Sequence, residues 1–176
     1  MKTVYQILLF PLLFMPLIAC MDGKKDQSNM VPELVQEGLS LNDTSLKKVV
    51  KANAIWKKEL TKNQYYILRE QGTEAPYQNA YHDNHKEGNY FCAGCKLPLF
   101  SSKTKFDSGT GWPSFYAPIE KNRVTEAIDK SHGMVRGEIV CSRCDGHLGH
   151  VFDDGPSPTG LRYCMNSGSM LFLDNK

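Results

Sequence analysis

From Val4 to Ala19 the chain is almost wholly apolar, and from Met21 to Asn29 it is polar without a period. Only beyond residue 44 does a pattern set in that a folded core can use. The first periodic stretch is helical: Thr44 and Ser45 can cap a run through Leu46, Val49, Val50 and Ile55 to Trp56. Thr61 followed three residues later by Gln64 is a capping-box pattern, which opens a second helix over Lys62 to Glu70 and stops it at Gly72. Downstream the apolar positions break into brief β-prone segments: Tyr90 to Cys92, Pro98 to Phe100, Gly137 to Cys141, His150 to Phe152, Arg162 to Met165 and Met170 to Leu173. Gly, Pro, Asp or Ser lie between them, the punctuation of turns. The pattern predicts a mainly β domain of the α+β kind, preceded by two or three helices and carrying long loops.

The leader points to export. One early positive charge, a short apolar core and a small residue before the break make residues 1–19 a signal peptide. Pro11 and Pro16 interrupt the apolar run, which also falls short of the roughly 20 residues of a membrane-spanning helix. Leu17-Ile18-Ala19-Cys20 resembles a bacterial lipobox, in which cleavage before the cysteine leaves a thiol that becomes lipidated. The alternative is an ordinary cleaved signal with an incidental cysteine. The expectation is a bacterial cell-envelope lipoprotein, held to the membrane at Cys20 and facing the periplasm or the cell exterior. Residues 20–44 read as a flexible tether, and residues 45–176 as the single folded domain.

The formal net charge of +2 is nearly balanced and no basic stripe is present, so no nucleic-acid partner is expected. The six cysteines carry more information. Cys92 and Cys95 form one C-x-x-C pair, Cys141 and Cys144 a second, which is the spacing with which two knuckles give four thiolates to a tetrahedral zinc. Such a closed site leaves no open position for catalysis and would act as scaffold. Two alternatives stay open: small-loop disulfides in an oxidising compartment, which would add little stability, and a local site from Cys141, Cys144, His147 and His150.

With Cys20 at the leader's end, Cys164 alone remains. It lies in Arg162-Tyr163-Cys164-Met165-Asn166, and on a strand positions two apart share a face. Arg162 there would favour the nucleophilic thiolate, and Asn166 could donate an amide hydrogen bond; a buried core cysteine is the plainer alternative. His147 and His150 can deliver a proton near neutral pH. Trp112 and Phe115, in a segment rich in Gly and Pro, either plug the core or line a small apolar pocket suited to a methyl group. His82 and His85 sit in a polar loop, and His132 is ambiguous.

Together these strings resemble a known family. Cys92-Ala93-Gly94-Cys95, Phe106-Asp107-Ser108-Gly109, Gly111-Trp112-Pro113-Ser114-Phe115, Ser131-His132-Gly133-Met134, the run from Cys141 to Phe152, Pro158-Thr159-Gly160 and Arg162 to Ser167 are similar, in order, to the B-type methionine sulfoxide reductases, which act on the R epimer. The resemblance spans roughly Trp56 to Leu173. It implies a pair of antiparallel sheets with N-terminal helices, pinned by structural zinc on Cys92, Cys95, Cys141 and Cys144. It implies Cys164 as nucleophile, with Trp112 walling the substrate methyl beside Phe115 and Arg162. His147, His150 and Asn166 would bind or protonate the sulfoxide oxygen, His150 being the first choice as proton donor.

The chemistry so implied begins with attack of the Cys164 thiolate on the sulfoxide sulfur. Protonated oxygen departs as part of a sulfenic acid on Cys164, which must then be reduced. Many relatives use a second cysteine immediately before the Gly-Trp-Pro-Ser-Phe segment, where this chain has Thr110. A single-thiol cycle is therefore expected, completed by an external thiol reductant such as a thioredoxin-like periplasmic domain. The substrates are oxidised methionines in proteins, repaired under oxidative stress, and a monomer is expected. The rival readings are a binding module without a reactive thiol, a zinc-ribbon nucleic-acid binder, and a reductase of free methionine sulfoxide.

Overall fold

The computed structural model describes residues 38–129, 133 and 135–175. The signal peptide, Cys20, most of the tether and His132 lie outside the described residues. Two helices lead: α1 (Asn53–Glu59) and α2 (Lys62–Glu70). Thr61 caps α2 as its sequence indicates, its side chain accepting from the Gln64 N–H while Gln64 returns the bond to the Thr61 N–H. Gln71, in the left-handed conformation, ends the helix one residue before Gly72.

The first helix is shorter than its apolar period indicates. It begins at Asn53 rather than at Thr44–Ser45, because the preceding segment is held in extended form by the body of the domain. Val49 N–H donates to the Arg143 carbonyl at 2.8 Å, Lys48 pairs with Asp145, and Asp43 pairs with the buried Arg143 at 2.6 Å. The first of these takes a backbone donor that a helix would use, and the other two tie side chains of the segment to the turn that carries Arg143 and Asp145. Leu39 and Leu46 also pack on the core, so ordered packing starts upstream of residue 45.

Nine strands follow among the described residues: β1 (Gly88–Cys92), β2 (Pro98–Ser101), β3 (Lys105–Phe106), β4 (Ser114–Phe115), β5 (Val124–Asp129), β6 (Arg136–Cys141), β7 (His147–Phe152), β8 (Arg162–Met165) and β9 (Met170–Asp174). They form two antiparallel sheets, ordered β2-β1-β9 and β3-β4-β8-β7-β6-β5. Their shared core is aromatic. Phe100 stacks on Phe115 with ring centroids 4.5 Å apart, and Tyr90 meets Phe115 edge-on at 5.0 Å, arrangements that add attraction beyond area burial. Trp56, Ile67 and Leu68 of the two helices are fully buried.

One irregularity positions the chemistry. Between β6 and β7, Ile139 pairs with Gly149 but Val140 pairs with His147, so Leu148 is an extra residue in β7. A bulge of this kind re-aims the side chains that follow it. His147 and His150, three apart and thus on opposite faces of a regular strand, come to lie side by side with ring centroids 5.4 Å apart.

Candidate active site

Cys164 is central to the larger sheet. On β8 it faces His150 of β7 on one side and Ser114 of β4 on the other, each directly across the ladder. Its thiol is free and half-buried, outside the four-thiol cluster. A cavity of about 140 Å³ opens there, lined by Cys164, His150, Trp112, Phe152, Asn166 and Arg136 among others. Burial pushes the Cys164 thiol up, while the Thr110 hydroxyl, the Arg162 charge and the Ser114 hydroxyl pull it back down. Arg162 thus acts in the direction its place in the sequence indicates, but burial prevails.

The remaining predicted residues divide. Trp112 walls the cavity, its indole N–H donating to the Glu74 carbonyl at 3.0 Å. Asn166 lines it too, held at both ends: Oδ1 accepts the Glu74 N–H at 3.1 Å and Nδ2 donates to the Leu148 carbonyl at 3.2 Å. An amide nitrogen carries two protons, so one remains to serve a ligand. Arg162 does not line the cavity. Its guanidinium makes paired 2.8 Å bonds with Asp154 and lies over the Phe152 ring. Phe115 is a correction: it is fully buried between Phe100 and Tyr90 and belongs to the core, because its side chain points from β4 into the space between the sheets.

Behind the cavity stands a row of acid–base groups that no motif announces. The His150 Nε2 sits 2.9 Å from Asp129 Oδ2, which also accepts from Arg136 at 2.7 Å. The His147 Nδ1 sits 2.7 Å from Glu138 Oε1, which also accepts from Gln71. His147 is buried, and that burial lowers its pKa despite the Glu138 bond. Of the two histidines, His150 pairs directly across the ladder with Cys164 and lines the cavity. Glu74 is a further residue that sequence reasoning missed. Besides its backbone bonds to Trp112 and Asn166, its carboxylate accepts the N–H groups of Ser167 and Gly168, just beyond β8.

The four paired cysteines gather at one point. Cys92, Cys95, Cys141 and Cys144 bring their sulfurs within 4.8 Å of one another, with Cys92 to Cys144 at 3.7 Å and Cys95 to Cys141 at 3.5 Å. Sulfurs bound at about 2.3 Å around a tetrahedral zinc would lie about 3.8 Å apart, so the donor set fits that metal. Arg69 of α2 donates to the Cys144 sulfur at 3.3 Å and stacks on Trp56, tying the helices to this corner. The alternative local site fails, since His147 and His150 turn to Glu138 and Asp129.

A free thiol lining a small cavity, with a histidine across the ladder and four cysteines gathered elsewhere as in a metal site, is the arrangement of a thiol-dependent enzyme on a β scaffold. Comparison with known proteins gives this class its family. The SelR domain matches residues 60–174. The chain is 56% identical over 125 residues to the peptide methionine sulfoxide reductase MsrB of Hahella chejuensis, covering 71% of this chain and 90% of the relative. It is 60% identical over 122 residues to the protein of the same name from Thiobacillus denitrificans, covering 69% and 92%, and 54% identical over 132 residues to that of Agrobacterium fabrum, covering 75% and 98%. The chain belongs to the SelR family, the B-type methionine sulfoxide reductases.

Proposed function

We propose that the protein reduces the R epimer of peptide-bound methionine sulfoxide to methionine, with Cys164 as nucleophile. The observation that carries this reading is the placement of the free Cys164 sulfur in the cavity, directly across from His150 and beside Trp112. The indole wall suits the substrate methyl. The thiolate attacks the sulfoxide sulfur and His150 supplies the proton to the departing oxygen, with Asn166 donating to it. The protonated oxygen passes from the substrate sulfur to the Cys164 sulfur as the transient S–S bond breaks, so methionine leaves with its lone pair restored and Cys164 carries the oxygen as a sulfenic acid. Asp129 holds His150 in place, and Glu138 does the same for His147.

An external thiol of the thioredoxin type completes the cycle. It attacks the sulfenic acid, water is released, and a second thiol reduces the mixed disulfide. This follows from Thr110 standing where many relatives have a resolving cysteine, and from the other described thiols being gathered in the four-thiol cluster. Zinc bound by Cys92, Cys95, Cys141 and Cys144 serves as a structural pin. The apolar leader ending at Cys20 supports a bacterial cell-envelope lipoprotein, and the proposed role is that of a monomer repairing oxidised methionines under oxidative stress. Trapping the protein after one turnover without reductant tests the cycle. The expected mass map carries one added oxygen at Cys164, and an intramolecular disulfide at Cys164 would refute it.

A further inference from the structure

Three hydroxyls run in an unbroken row from the Cys164 sulfur. Thr110 Oγ1 lies 3.9 Å from Cys164 Sγ and 2.8 Å from Ser108 Oγ. Ser108 Oγ lies 2.7 Å from Ser114 Oγ, which is 3.2 Å from the Trp112 carbonyl. Ser108 Oγ also receives the Thr110 N–H at 3.4 Å. Ser114 is fully buried and pairs with Cys164 across the β4–β8 ladder, so the row is walled from solvent at one end and touches the cavity thiol at the other.

Each hydroxyl has one proton to give and can accept others, which permits two directions along the row. With Cys164 a neutral thiol, its S–H points to Thr110, Thr110 donates to Ser108, Ser108 to Ser114, and Ser114 to the Trp112 carbonyl. With Cys164 a thiolate, the sulfur can only accept. Thr110 then donates to it and Ser108 donates to Thr110, while the Ser114 hydroxyl, which also pulls the thiol down, turns from the Trp112 carbonyl toward Ser108 or the sulfur. Once the thiol has released its proton to solvent through the open cavity, three rotations about C–O bonds separate the two arrangements, and no proton moves from one oxygen to another.

We propose that Thr110, Ser108 and Ser114 form a reversible hydrogen-bond chain that turns to hold the Cys164 thiolate, with Thr110 as the donor to sulfur. The proposal deepens the reading of Cys164 as nucleophile and rests on it. Burial pushes this thiol up, and the Thr110 hydroxyl is the largest of the opposing influences. Position 110 thus holds a donor that favours the attacking form where a second thiol would otherwise sit. Ser108 and Ser114 keep that donor correctly oriented.

Alkylation of Cys164 by iodoacetamide, followed against pH on the full zinc-loaded chain and quantified on the peptide containing Cys164, reads the thiolate fraction directly. Thr110→Val keeps the shape and removes the hydroxyl. Its midpoint is expected about one pH unit above the native value, which is about a tenfold slower alkylation at any pH below both midpoints. Thr110→Ser should restore the native midpoint. Ser108→Ala should move it in the same direction by a smaller amount, because Thr110 loses its orienting neighbour. Coincident midpoints for native and Thr110→Val would overturn the proposal, as would failure of Thr110→Ser to restore the native value. The readout is independent of turnover, so retention of reductase activity by Cys164→Ser would mark the separate failure of the nucleophile assignment.

Discussion

Gly149 offers a sharp test of how strand spacing controls the reaction. A Cβ built on Gly149 would lie 2.1 Å from the carbonyl oxygen of Cys164 and 2.9 Å from the Met165 Cα, where real Cβ contacts essentially never fall below 3.0 Å. Both neighbours are backbone atoms of β8, so no side chain can swing aside. Gly149→Ala must therefore part β7 from β8 by about 0.9 Å at the Gly149–Met165 rung, next to the one where His150 faces Cys164. A displacement of about 1 Å between a nucleophile and its proton donor costs about 100-fold in rate, or about 2.7 kcal/mol of transition-state stabilisation. Overpacking adds a stability loss of about 1–3 kcal/mol, so the variant should remain folded at 25 °C. The assay is kcat/KM on an R-epimer methionine sulfoxide peptide with a chemical dithiol, alongside a urea titration. A folded Gly149→Ala protein with kcat/KM within about threefold of native, less than about 0.7 kcal/mol, would refute the spacing argument.

Other consequences are equally direct. Glu74→Gln keeps one acceptor for the Ser167 and Gly168 N–H groups but loses its charge; a stability loss of about 1–2 kcal/mol is expected by urea denaturation, with a matching rise in KM as Trp112 and Asn166 loosen. Burial holds His147 below the usual histidine value, so the unfolded chain takes up its proton first on acidification. Stability from this residue is complete above about pH 6.5 and is lost as pH falls further. Thermal midpoints between pH 7 and 5 should therefore drop less steeply in His147→Gln than in the native protein. Elemental analysis should find one zinc per chain, and Cys92→Ser should lose the metal and melt far below the native temperature, as expected when a four-thiolate site contributes on the order of 10 kcal/mol. A metal-free native protein with an unchanged melting temperature would contradict the scaffold role.

The sequence made some of this legible and hid the rest for identifiable reasons. Helix α2 carries its own start signal in Thr61 and Gln64, and the structure places it at Lys62–Glu70. The stretch before α1 has helical periodicity, yet its Val49 N–H is claimed by the Arg143 carbonyl and its Asp43 and Lys48 side chains pair with Arg143 and Asp145, about a hundred residues away, a tertiary effect no local pattern reveals. β3 and β4 are two residues each, too short to show alternation, and β5 lies at the sheet edge with no fully buried position.

At the site, the C-x-x-C spacing and the unclaimed Cys164 were readable because their chemistry is tied to residue type. Asp129, Glu138 and Glu74 were not. A lone carboxylate signals nothing until a fold sets it beside a histidine or a row of backbone N–H groups. The pairing of His147 with His150 was hidden as well, since it depends on the extra residue Leu148. Phe115 shows the opposite error: a glycine- and proline-rich neighbourhood marks a turn near the cavity, while strand alternation sends that ring to the core.

The most direct measurement is epimer-resolved turnover of a methionine sulfoxide peptide by the native protein and by Cys164→Ser. R-selective reduction by the native protein and its disappearance in the variant, with the zinc content and fold of both unchanged, is the predicted result. Undiminished R-epimer turnover by a folded Cys164→Ser protein would contradict it.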